Sequence, residues 1–474
     1  MSDSKTVIII GGGFSGALFG LKLHRQCPGW RIIIAEPRKR LGRGVAYGAC
    51  DPGHLLNVPV SRMEVGLSPS FTDWLRERAE LIPEALVESA LDLSAAYVPR
   101  RLFGDYIEER VNAALDNRSL TGLSSVRGEV VRLLQDGRGV LLNDGRQIRA
   151  DIVVLAMGNL PPRPPAGPDA WLYDTGFFIP DPWAADAFAD IEPDEPLLLL
   201  GTGLTTVDIV LRLRQAGHRG ALLALSRRGL TPRVHMGGGS WPEFLRGDFQ
   251  ASARALTRLV RAQIEAAAAR GIPWQRVFDA ARPAVPAVWN ALDTFSRRQF
   301  LRHLRPRWDI HRHRMAPRVQ AAFERLRAEG TLEVMAGRIA GYGPQGHRVE
   351  VTIQRRGGGT RVFPAGHVIN CTGPGGDFQR IAIPLIAELR ERRLAVPDAL
   401  GVGLETRDCA VIDGAGEASS WLYALGPLTR PGWWEIIAVP EINLQIERLV
   451  AQLSGPGAAA KLTAADFRDM GGGI

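Results

Sequence analysis

Cysteine is scarce. Cys27, Cys50, Cys371 and Cys409 stand far apart, with no C-x-x-C pair among them. That spacing excludes a dithiol redox motif and a cysteine-ligated iron–sulfur cluster, and it fits a reducing compartment. No apolar run approaches the ~18 residues of a membrane span. No basic leader with a cleavage site precedes the first apolar strand, so a cytoplasmic protein without a membrane partner is expected. Lysine is scarce too: only four of the 58 basic residues are lysine. The formal net charge of +8 therefore reflects heavy arginine use. No basic stripe interleaved with aromatics marks a nucleic-acid surface, so no nucleic acid is expected. Metal ligation is thin as well. His303, His311 and His313 have no carboxylate or cysteine at ligand spacing, and no metal is expected.

What is present begins at once. Val7–Ile10 is an apolar β-forming run that feeds Gly11, Gly13 and Gly16, spaced G-x-G-x-x-G. An apolar helix follows from Ala17 to about Gln26, then a strand Trp30–Ala35 ending in Glu36. This strand–helix–strand order with a terminal acid is the fingerprint of a dinucleotide-binding unit. Gly11 permits the tight turn, Gly13 admits a pyrophosphate, and Gly16 lets helix and strand approach. Phe14 and Ser15 open the helix, whose unpaired N–H groups and positive dipole end attract phosphate. Glu36 is placed to accept from a ribose diol.

A second such unit starts at the strand Leu197–Leu200. Gly201, Gly203, Leu204 and Thr205 form its turn, and Thr206 stands where a third glycine is usual. The next strand, Ala221–Leu225, ends in Ser226-Arg227-Arg228 rather than in an acid. Two arginines there suit a 2′-phosphate, so NADPH is expected over NADH.

Between and after these units the pattern repeats. Arg127–Asn159 reads as short strands broken by Asp136-Gly137 and Asp144-Gly145, closing in Ile152–Ala156 and Gly158. Strands Val334–Ile339 and Arg348–Ile353 lead likewise to Val368–Asn370 and then to Thr372 and Gly373. Helices are expected at Ser68–Arg78, Arg101–Asn117 and from about Pro440. The fold class expected is α/β: two Rossmann-like dinucleotide-binding domains, the second inserted in the first, with a helical insertion. The boundaries expected are 1–165 and 374–453 for the first domain and 166–373 for the second. The insertion lies at about 229–326 and a loose tail at 454–474.

Two stretches carry specificity. Arg40–Met63 is too rich in glycine and proline for a long element, and a structured loop of that length is usually functional. His54, Asn57 and Arg62 are its polar candidates for catalysis, with tying down the loop as the alternative role. Arg297–Pro317 is dense in arginine and histidine. Anion contact and a structural basic face are the readings open to it.

This layout resembles the flavoproteins with two dinucleotide-binding domains. GRGVAYG, HLLNVP, GTGLTTVD, HLRPRWDIHRHRMAP, VINCTGP and LYALGPLTR resemble a bacterial family of FAD/NAD(P)-binding proteins. The resemblance implies FAD at Gly11, Gly13, Gly16 and Glu36, with Gly158, Thr372, Gly373 and Gly426 adjoining cofactor. Many relatives end the last segment in Gly-Asp, whereas here it is Gly426-Pro427, so another group must replace that aspartate. Two nucleotide sites imply hydride passing from NADPH to FAD. Without a cysteine pair, dioxygen is the favoured acceptor. The reading is an FAD- and NADPH-dependent monooxygenase that oxygenates a small molecule, anionic if the arginines bind it, through a hydroperoxyflavin. A Baeyer–Villiger signature, F-x-G-x-x-x-H-x-x-x-W, is absent. A flavin reductase with another acceptor, or a flavin-binding redox sensor, are the alternatives.

Overall fold

The computed structural model describes residues 4–48, 51, 53–83, 86, 92–117, 122–165, 170–245 and 252–455. Cys50, part of the proline run at 166–168 and the tail from 456 lie outside them. Among the described residues no helix is long and apolar enough to cross a membrane.

Runs of Ile, Val and Leu without polar alternation suit strands covered on both faces. Val7–Ile10, Ile152–Leu155 and Leu197–Leu200 are all buried, and they form the centres of two parallel sheets. The first sheet has seven strands. Leu123–Arg127, Arg31–Glu36, Thr6–Ile10, Ile152–Leu155 and Ala418–Ala424 run parallel in that order. Ala410–Ile412 and Thr406–Arg407 extend it antiparallel. Its strands thus come from both ends of the described chain. The second sheet, also of seven strands, is drawn wholly from Phe178 to Asn370. Its parallel centre is His367–Asn370, Leu197–Leu200, Leu222–Ser226 and the start of Leu332–Gln345. A small three-stranded meander spans Val130–Arg149.

The expected helices form with shifted ends. The first is Phe14–Gln26, three residues longer than its apolar pattern indicates, because the uncapped glycine turn runs straight into it. The helix expected over Ser68–Arg78 is only Phe71–Arg76, started by a Ser70 side chain that accepts from the Asp73 N–H. Val439–Ser454 packs beside Phe14–Gln26 through Ile442, Ile446 and Leu449. Lys22 fixes that contact by donating to Asn443 and Glu447 at 2.7 and 2.6 Å.

The helical stretch after Gly229 contains Ala253–Ala268, Trp274–Ala281, Val285–Ala291, Thr294–Gln299 and Arg305–Arg312. Pro317–Ala328 behaves differently. Phe323 and Leu326 bury it against the second sheet, so it serves that sheet rather than the helical cluster. The cluster docks on the C-terminal segment. Trp289 stacks on Trp434 at 4.4 Å and donates to the Pro431 carbonyl at 2.8 Å. Arg282 grips Glu441 with two bonds of 2.5 and 2.6 Å.

Candidate functional site

Each sheet carries a glycine turn where its strand order reverses, the place where open α/β sheets bind ligands. At the first, Gly11 has φ +105°, and a Cβ there would stand 2.4 Å from the Ala156 carbonyl oxygen. A Cβ on Gly16 would stand 1.9 Å from the Gly11 oxygen, and one on Gly13 would stand 3.2 Å from Gly44 Cα. The three positions thus have three causes: a left-handed turn, a helix seated on that turn, and a close loop. No side chain caps the helix that begins at Phe14, so its first N–H groups are left for a ligand.

A pocket of about 240 Å³ opens there. Gly11, Gly13, Phe14, Ser15, Glu36 and Gly158 all line it. Glu36 is buried and already accepts from the Gly12 and Arg38 N–H groups, at 2.8 and 3.1 Å. Its carboxylate is therefore held in place at the pocket wall, with lone pairs to spare. Gly16 acts behind the wall, through packing.

The pocket also contains residues given no role above. Arg43 lines it, buried, bonded to Glu108 at 2.6 Å and paired with Asp105. Tyr47 lines it too, packed edge-on to Phe103 at 5.0 Å. Asp105, Glu108 and Phe103 come from the helix Arg100–Asp116, so only the fold reveals this support. Pro427, Ile437 and Ile442 close the far side. Gly426 has φ +71° and gives its N–H to Gln445 Oε1 at 2.8 Å. That donor is spent inside the protein, and Pro427 is the residue that reaches the pocket.

The loop candidates separate. His54 is buried outside this pocket. Its Nδ1 accepts from the Asp51 N–H at 3.2 Å, so Nε2 carries the proton given to the Asp208 carbonyl at 3.1 Å. Burial lowers its pKa. The ring ties the loop to the helix Leu204–Gln215, beside the Arg100–Asp208 and Arg212–Asp51 ion pairs. Arg62 points elsewhere, toward Arg282, Asp279, Arg276 and Glu441, and burial is the main cause lowering its pKa. Asn57 is half-buried and lies outside the lining of the pocket. The three loop candidates are therefore not brought together.

The second turn repeats the first. Gly201 has φ +124°, and a Cβ would stand 2.4 Å from the Cys371 oxygen. Gly203 opens onto free space, and no side chain caps the helix starting at Leu204 and Thr205. Thr372 lies beside Gly201, its N–H and hydroxyl both bonded to Asn370 Oδ1; Gly373 follows with φ +86°. Beyond the strand end is a basic pocket of about 480 Å³. Arg227 and Arg228 meet Arg302 and His303 of the helical cluster, and Arg338, Arg355 and Arg356 of the neighbouring hairpin. Among the described residues six arginines and no carboxylate line it, a lining of one sign that suits an anion. His303 serves it, whereas His311 stacks on Phe278 at 5.2 Å. The Arg297–Pro317 stretch is thus shared between an anion pocket and an aromatic core.

Comparison with known proteins gives the fold its relatives. Residues 8–160 match the family described as FAD-NAD(P)-binding. No curated protein matches the sequence significantly. Among solved structures, the ornithine N-hydroxylase of Kutzneria sp. 744 is similar over 95% of this chain and 99% of that one, with 17% identity and a TM-score of 0.64. L-lysine 6-monooxygenase of Pseudomonas syringae has the same coverage, 18% identity and a TM-score of 0.63. The bacillithiol disulfide reductase of Bacillus cereus is similar over 95% and 99%, with 14% identity and a TM-score of 0.54. The chain has the fold of these proteins, and its residues 8–160 match the FAD-NAD(P)-binding family.

Proposed function

We propose that the protein is an FAD- and NADPH-dependent monooxygenase of a small organic molecule. The observation that carries this reading is the pair of glycine turns, each opening an uncapped helix, with a six-arginine pocket beyond the second alone. The residues fit the two cofactors. Gly11, Gly13, Phe14, Ser15 and Glu36 would hold FAD, and Gly201, Gly203, Leu204 and Thr205 the NADPH pyrophosphate. Arg227 and Arg228 would take the 2′-phosphate. Bound FAD supplies the electron transfer and oxygen activation that side chains lack. The chain supplies binding, orientation and exclusion of water.

A thiol–disulfide reductase would need a reactive thiol beside the flavin, and the described cysteines are poor thiolates. Burial pushes Cys409 up to about 12 and raises Cys371 further. The Kutzneria and Pseudomonas enzymes named above act on ornithine and lysine, which supports a small-molecule substrate for this chain as well.

The test is NADPH oxidation under isotopically labelled dioxygen with a panel of small molecules. One labelled oxygen atom should enter a substrate. Recovery of every electron as hydrogen peroxide across the panel would return the reductase reading.

A further inference from the structure

The helical cluster holds a groove of about 530 Å³, distinct from both glycine turns. One wall is the helix Ala253–Ala268, whose Leu256, Val260 and Ile264 repeat every four residues along one face. All three are only half-buried, so among the described residues no element seals them. The opposite wall is aromatic. It includes the stacked Trp289 and Trp434, with Phe300 edge-on to Trp434 at 5.5 Å. A concave apolar surface of this size left open is characteristic of a ligand site.

The polar groups at the groove have one sign. Arg261 and Arg307 are exposed at it, and among the described residues no carboxylate lines it. His311 gives its Nδ1 proton to the Arg307 carbonyl at 2.6 Å, and burial lowers its pKa. A cationic amine would therefore meet two guanidiniums and no counter-charge, whereas a carboxylate would meet two donors. The groove shares a chain segment with the first pocket. Trp434 belongs to its wall, and Pro427 and Ile437 of the same segment line the pocket beside Gly11 and Gly13.

We infer that this groove binds an apolar carboxylate, its acyl or aryl body against the tryptophans and its carboxylate at Arg261 and Arg307. For the further step, that this carboxylate is the molecule oxygenated, the inference rests on the monooxygenase reading. Charge complementarity fits this occupant; the chain's own residues 456–474, which carry Asp466 and Asp469, and a second copy are tested as rivals.

The probes are anilinonaphthalene sulfonate, dodecanoate and dodecylammonium, added to the flavin-loaded protein. The sulfonate dye should bind saturably at one site, and dodecanoate should displace it at least about tenfold better than dodecylammonium. Arg261→Ala combined with Arg307→Ala should erase most of that ratio. Val260→Trp should fill the groove and abolish displacement, with flavin absorbance confirming that the variants are folded. Absent saturable binding, equal displacement by the two amphiphiles, or no effect of either variant would overturn the assignment. So would a chain ending at Gly455 that binds dodecanoate about tenfold tighter, or a dimer that dodecanoate dissociates. Saturable carboxylate binding with no labelled oxygen entering any bound carboxylate would leave the groove assigned and remove its link to oxygenation.

Discussion

The two glycine turns solve one problem with different residues. In both, the first glycine brings the chain within 2.4 Å, measured from an added Cβ, of the carbonyl that ends the neighbouring strand. That position is set by geometry, and only glycine fits it. The third position is not. At Gly16 a methyl group would stand 1.9 Å from the Gly11 oxygen, yet at the matching place the second turn buries Thr206 completely. The second turn accommodates that branched side chain where the first admits no Cβ. The first bond of its helix, Val207 N–H to the Gly203 oxygen, is 3.2 Å, against 2.9 Å for Ala17 to Gly13. The third glycine is thus a packing choice, and the strand-end residues, Glu36 against Arg227 and Arg228, are a choice of ligand.

Exchanging the third residue gives the largest expected effect. Gly16→Thr forces a branched side chain into backbone and should cost about 3 kcal/mol, the upper end of overpacking. Flavin should be lost with it. Thr206→Gly removes helix propensity and a buried side chain and should cost roughly 1–2 kcal/mol, with NADPH still bound. Denaturant unfolding and flavin absorbance measure both. Equal costs would dissolve the distinction between a third position that admits no Cβ and one that accommodates a side chain.

The strand-end choice comes next. Arg227→Ser with Arg228→Ser should reduce NADPH preference over NADH by about ten- to a hundredfold in flavin-reduction kinetics, since charge-assisted bonds contribute about 1.5–3 kcal/mol each before screening. Arg338, Arg355 and Arg356 remain, so some preference should survive. An unchanged ratio would make the pocket a site for some other anion.

How much of this was legible follows from where each cause lies in the chain. Gly11, Gly13 and Glu36 were readable because a local backbone requirement fixes residue type and spacing together. Arg227 and Arg228 were readable for the same reason, but their four arginine partners come from a hairpin and a helix distant in sequence. Arg43 and Tyr47 carried no signal because the groups that hold them, Asp105, Glu108 and Phe103, lie some sixty residues on. For His54 the sequence left catalysis and tying down the loop both open, and its bond to Asp208 in the second unit is a tertiary fact. The packing of Pro317–Ala328 under the second sheet was hidden in the same way.

The seams between the two units respond to acid. His54 joins the loop to the second unit's helix, and His235 packs against Tyr97 of the first unit at 5.7 Å. Burial lowers both, His235 to about 4. A histidine held neutral in the fold contributes stability above its unfolded pKa of about 6.5, and that stability is lost as pH falls toward the folded value. Unfolding midpoints should therefore drop between about pH 6.5 and pH 4. His235→Gln should flatten that slope while lowering stability at neutral pH. A wild-type slope unchanged by the substitution would move the acid sensitivity to another group.

The smallest effect expected is at Glu36, and it bears most directly on what the two strand ends do. Its carboxylate accepts two backbone N–H groups, from Gly12 and Arg38, which orient the turn whether or not a ligand is present. Glu36→Gln keeps the size and one accepting oxygen but loses the charge, so one N–H bond and any ribose contact weaken together. A neutral hydrogen bond is worth about 1 kcal/mol less than a charge-assisted one. FAD affinity should therefore fall only about fivefold, with NADPH preference untouched, because the arginine pocket belongs to the other turn. Dialysis followed by FAD titration reads the first, and flavin-reduction kinetics the second. If Glu36→Gln shifts the NADPH to NADH ratio instead, the acid end and the basic end serve the same dinucleotide, and assigning one cofactor to each turn fails.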